Sequence, residues 1–164
     1  MPTRLQVLIP ISIAAVIVGI AGVMSMPSEV KLQQVDFPTG TIKIDETFLE
    51  VQIADTEPRR MRCLMFQNAL PYDQGMFFVF DDVGSSSMWM LNMQFELDII
   101  WFYAEGNVVK IMTSVAPCKT PLEVMSCDSE SISSDNAQYV LEVSAGVVDE
   151  FAISNESKLE IISI

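Results

Sequence analysis

The chain has 164 residues, 50% of them hydrophobic, with nine basic residues against 22 acidic ones and no histidine. That length allows one well-packed domain and a short extra segment, and the net charge of -13 repels phosphate backbones and argues against a nucleic-acid partner. Without histidine there is no Ser-His-Asp or Cys-His catalysis and no His-containing zinc or iron site.

Val7 to Met24 is an apolar run without charge, preceded by Arg4. At about 1.5 Å rise per residue, its length as a helix approaches the roughly 30 Å hydrocarbon thickness of a bilayer. Positive charge is retained in the cytoplasm, so the amino terminus is expected inside and the remainder outside. A cleaved signal peptide is the alternative to an uncleaved anchor; its apolar core would be shorter and followed by small residues. No cysteine follows the run, which excludes a lipoprotein anchor. The expected organisation is an anchor or signal segment over 1–25, a Pro-containing linker over 26–40 and a domain over 41–164.

Thr41 to Ile44 and Phe48 to Ile53 alternate polar and apolar about a turn at Asp45-Glu46, a hairpin pattern. Ala54-Asp55-Thr56 leads into a short helix: Asp55 or Thr56 can cap it, Glu57 suits its positive end and Pro58 its first turn. Met61, Leu64 and Met65 are spaced to face inward on a largely buried helix that runs until Pro71 stops it. Arg59, Arg60 and Arg62 then form a solvated face, or a docking patch for an acidic partner. Met76 to Phe80 suits a strand covered on both sides, and Asp81 to Ser87 reads as a loop. Met88 to Met93, Leu97 to Tyr103, Val108 to Val115, Tyr139 to Val143 and Leu159 to Ile162 complete the strands, with a turn at Glu105-Gly106-Asn107. The expected fold is mainly β (α+β): a small antiparallel β-barrel or sandwich of about eight strands with one short helix, beside the amino-terminal transmembrane helix.

Gly75-Met76-Phe77-Phe78-Val79-Phe80, then Trp89-Met90-Leu91-Asn92 with Leu97-Asp98-Ile99-Ile100, then Tyr139-Val140-Leu141-Glu142-Val143 with Ala145-Gly146 stand in a fixed order. As a set they resemble the family called domain of unknown function 192, whose pattern reads A-D-T, G-L-M-F-R, G-M-x-F-x-F, F-W-M-K-N-T, L-D-I-I-F and Y-V-L-E-x-x-A-G. The resemblance runs from Val51 to Ile162. It implies a fold, and the family's biochemistry is open. Leu91 and Met93 replace the pattern's Lys and Thr, Gln67 its Arg, and Cys63 the Gly of G-L-M. A polar active site built on those groups would be largely lost here.

Met65, Trp89, Asn92, Asp98 and Glu142 form the candidate binding site. The last three are polar within apolar segments, where a carboxylate must be paired or hydrogen-bonded to be tolerated. Paired carboxylates can serve as acid and base or hold a cation; the plainer reading is that each ties down backbone or an arginine such as Arg60. Met88, Met90 and Met93 are alternative Cu(I) ligands, since thioethers are soft, although methionine also fills irregular core gaps. Read as a strand, Met88, Met90 and Asn92 share one face and Trp89, Leu91 and Met93 the other. Outside the cytoplasm, Cys118 and Cys127 suit a disulfide better than a metal site, and many members of the resembling family carry a Cys pair in this loop. Cys63 reads as a buried structural thiol. Asp128 to Asp135 reads as a solvated loop, with weak calcium binding through Asp128, Glu130 and Asp135 as the alternative.

The expected function is a membrane-tethered extracytoplasmic binding or interaction domain, an accessory subunit of a membrane protein complex, with no cofactor and no nucleic acid. The alternative is an enzyme working through carboxylates, or a Cu(I)-handling protein, using the cluster around Trp89.

Overall fold

The computed structural model describes residues 35–118 and 132–164. The expected anchor over Val7 to Met24, most of the linker, and Cys127, Asp128 and Glu130 lie outside them. Among the described residues no helix is long and apolar enough to cross a membrane.

The hairpin forms as its alternation predicts. Strands β1 (Thr39–Ile44) and β2 (Thr47–Ala54) pair antiparallel about Asp45, whose φ of 52° is tolerated in a tight turn. Helix α1 (Glu57–Arg62) then carries the chain over to β3 (Gln74–Ser87), which runs parallel to β2. Strands β4 (Leu97–Phe102), β5 (Val108–Val115) and β6 (Ser133–Ser144) follow, then helix α2 (Val147–Glu150) and strand β7 (Leu159–Ser163).

The seven strands make one sheet in the order β5-β4-β6-β3-β2-β1-β7. The expected barrel or sandwich of about eight strands is thus a single open sheet, and the expected single helix is joined by α2. The two ends of the sheet come together at the Asn107–Lys158 bridge and the Leu159 N–H to Gly106 carbonyl bond of 2.8 Å.

Two corrections to the expected elements have clear causes. Asp81 to Ser87 is strand rather than loop, because Gly84, Ser86 and Ser87 pair with Ala137, Ser134 and Ser133 of β6. Met88 to Met93 is not a strand. Asn92 turns it with a φ of 57°, and Leu91 makes one isolated bridge, to Cys118. Met88, Met90 and Met93 are therefore all buried, instead of dividing between two faces.

Period-two alternation gives the sheet two apolar faces. Ile42, Leu49, Phe77, Ile100, Val108, Leu141 and Leu159, one from each strand, meet in an inner core. Met76, Phe78, Ile99, Trp101 and Val140 point the other way, into an outer core capped by Cys63, Leu64, Met88, Met90 and Met93. Burying each large side chain such as Phe77 or Trp101 stabilises the fold by about 1.5–3 kcal/mol. Gly75 lets β3 and β6 approach closely: a Cβ there would stand 2.8 Å from the Glu142 carbonyl oxygen.

Candidate functional site

Helix α1 is shorter than its pattern predicts and contains no buried residue. It ends at Cys63, whose φ of 46° and ψ of -148° break the helical hydrogen-bond pattern eight residues before Pro71. Met61 consequently faces outward at 55% exposure, while Leu64 is buried and Met65 half-buried. Thr56 makes no side-chain cap, and Asp55 instead accepts a 2.6 Å bond from Arg59, which holds its carboxyl below the usual range. The arginines are not a simple solvated face. Arg60 donates to the carbonyls of Asp55 and Val79, at 2.8 and 2.9 Å, and lies over the Phe80 ring; Arg62 lies over Phe66.

Between α1 and the outer face of β3 lies a cleft of about 300 Å³. Phe78, Phe80, Met61 and Met88 give it apolar walls, Cys63 and Trp89 line it, and Glu57 and Arg60 supply its charge. Cys63 is a free, buried thiol whose Sγ donates to the Arg60 carbonyl. Burial, and then the charge of Glu142, push that thiol well above the ordinary range. Such a thiol is no nucleophile.

The structure divides the expected site. Met65 and Trp89 pack on the outer core. Glu142 is on the same face, opposite Met76 of β3 and Ile99 of β4. It is fully buried, neither carboxyl oxygen has a hydrogen-bond partner among the described residues, and burial raises the group to about 8. The Trp89 Nε1–H is also buried and finds no acceptor among the described residues, whereas the Trp101 indole donates to the Ser86 carbonyl at 3.1 Å. Asn92 acts through its backbone, accepting from Phe66 N–H and donating to the Cys118 carbonyl.

Asp98 is not part of this site. Its side chain is fully buried on the opposite face and accepts three backbone N–H bonds, from Ser114 at 2.9 Å, Gly146 at 2.9 Å and Val148 at 3.0 Å. It anchors the start of α2, where Gly146 adopts a φ of 96°. The expected acid–base or cation pair of Asp98 and Glu142 is therefore two separate features.

Gln67, in place of the pattern's Arg, exchanges two amide bonds of 3.1 Å with Gln52, and Leu91 is 36% exposed. Met88, Met90 and Met93 fill the outer core, and no group of His, Cys, Asp or Glu among the described residues is arranged to hold a metal. Sequence reasoning missed the cleft-lining roles of Arg60, Cys63, Phe78 and Phe80. The one available signal was Cys63 standing where the family pattern has glycine.

No curated protein sequence matches the chain. Two crystal structures share its fold. One is a candidate transcription regulator from Sinorhizobium meliloti, 24% identical, with a TM-score of 0.66 over 78% of this chain and 97% of that one. The other is a protein of unknown function from Novosphingobium aromaticivorans, 20% identical, with a TM-score of 0.65 over 83% and 98%. The model of the family DUF192, described as an uncharacterized ACR, matches residues 40–161. With that match spanning most of its length, the chain belongs to the DUF192 family.

Proposed function

We propose that this chain is a membrane-tethered binding domain on the extracytoplasmic side, an accessory subunit of a membrane complex, with the cleft between α1 and β3 as its binding site. One observation carries the reading: the two carboxyls best placed by sequence for acid–base chemistry stand on opposite faces of the sheet, and the cleft is walled by apolar side chains. Such a lining suits recognition of an apolar group, with a few polar atoms to orient it. The uncharged run after Arg4 supports the tether, and the expected Cys118–Cys127 pair supports an oxidising compartment. The net charge of -13 weighs against a DNA-binding role of the kind named for the Sinorhizobium meliloti protein.

External protease, applied to membranes whose outer envelope has been opened, should digest the domain. Met61→Trp and Ser87→Trp each add bulk to the cleft from an exposed position. Both should remove whatever co-purifies with the full chain while leaving its folding unchanged. A domain protected from protease contradicts the tether, and unchanged co-purification in both variants contradicts the cleft.

A further inference from the structure

Glu142 is fully buried, and among the described residues both its carboxyl oxygens are unpartnered. Burying such a group without a partner is costly, and a hydrogen-bond donor would offset that cost. Its cross-strand neighbours Met76 and Ile99 offer none. It shares the outer face with the cleft: Met76, opposite it, stands two residues from Phe78 on β3, and Phe78 and Cys63 line the cleft. The charged groups of the cleft itself are Glu57 and Arg60, and Arg60 is held on the Asp55 and Val79 carbonyls and the Phe80 ring. Phe78 and Trp89 also line the cleft, and aromatic rings attract cations. A net charge of -13 concentrates cations near the surface and repels anions.

We propose that the cleft takes an amphiphilic amine, its apolar body between α1 and Trp89 and its ammonium group reaching past Cys63 to the Glu142 carboxylate. The inference rests on the cleft being the binding site. The ammonium group arrives charged, Glu142 gives up its proton to solvent, and an N–H donates to the resulting carboxylate. One proton leaves for each amine bound.

The test is calorimetric titration of the full chain in nanodiscs, near neutral pH, with benzylamine, benzyl alcohol and benzoate. Benzylamine should bind about tenfold or more tighter than benzyl alcohol, with benzoate weakest. Its binding heat should vary with the ionisation enthalpy of the buffer, because a proton is released. Glu142→Gln should bring benzylamine down to the affinity of benzyl alcohol and leave benzyl alcohol unchanged. Cys63→Gly should open the route and widen the preference for the amine. Equal binding of benzylamine and benzyl alcohol by the wild-type chain, or a preference that survives Glu142→Gln, overturns the amine and leaves the cleft standing. If none of the three binds, the cleft reading falls with it. Should Glu142→Gln fail to fold, the buffer dependence in the wild-type chain decides: heats independent of buffer overturn the proposal.

Discussion

Asp98 and Glu142 lie on neighbouring antiparallel strands, one step out of register, and face opposite sides of the sheet. The first accepts three backbone N–H bonds; the second has no hydrogen-bond partner among the described residues. Two buried carboxyls of similar sequence setting thus contribute to stability with opposite signs.

Removing the Asp98 carboxylate should be strongly destabilising. Asp98→Ala removes the acceptor from three N–H groups, of which that of Val148 is buried, and should cost about 2–4 kcal/mol, measured by urea unfolding. Asp98→Asn keeps one acceptor but points an amide N–H₂ at a donor, and should cost about 2–3 kcal/mol. A loss below about 1 kcal/mol for both would show that the three bonds do not anchor α2.

Glu142 should make the protein less stable as pH rises. Burial raises its carboxyl from 4.5 to about 8, so between those values the folded chain holds a proton that the unfolded chain has lost. The favourable contribution is full below the unfolded value, falls by about 1.4 kcal/mol per pH unit through the window, and levels off above the folded value. Glu142→Gln should flatten this slope, read from urea midpoints across the range. An unchanged slope in the variant would place the titration elsewhere.

The alternation of β1 and β2 and the apolar Met76–Phe80 run were legible because local pattern and tertiary burial agree there. The Gly84–Ser87 end of β3 was not, since Gly and Ser carry no strand signal and pairing with β6 makes it one. Met88–Met93 failed for the opposite reason: an apolar run with strand-like content is folded back by Asn92. Trp89 and Glu142 were found as polar or aromatic oddities, but their separation from Asp98 depends on strand facing and on a helix that stops at Cys63. No local periodicity reports that stop.

Cys63 provides a separate test of backbone strain. Its φ of 46° with ψ of -148° is a region that glycine occupies at little cost, against about 1–3 kcal/mol for other residues. Cys63→Gly should therefore be more stable than Cys63→Ala by about 1 kcal/mol or more, reversing the usual order of these residues. Thermal and urea unfolding of the two variants provide the comparison. Alanine equal to or better than glycine would contradict the strain.

Cys118 is buried and its backbone bonds to Met90 and Asn92, which ties this loop to the outer core. Mass mapping of unreduced protein should find Cys118 joined to Cys127 with Cys63 free, and reduction should cost about 2–3 kcal/mol. A bridge that includes Cys63, or three reduced thiols in native material, would contradict this.

The cleft between α1 and β3 should hold an apolar-bodied ligand in the native membrane. Native mass spectrometry of the full chain, released gently from its own membranes, reads out that occupancy. The wild-type chain should carry an added small-molecule mass that Met61→Trp and Ser87→Trp both lack while remaining folded. An added mass retained by both variants, or a bare wild-type chain from every preparation, would contradict the claim.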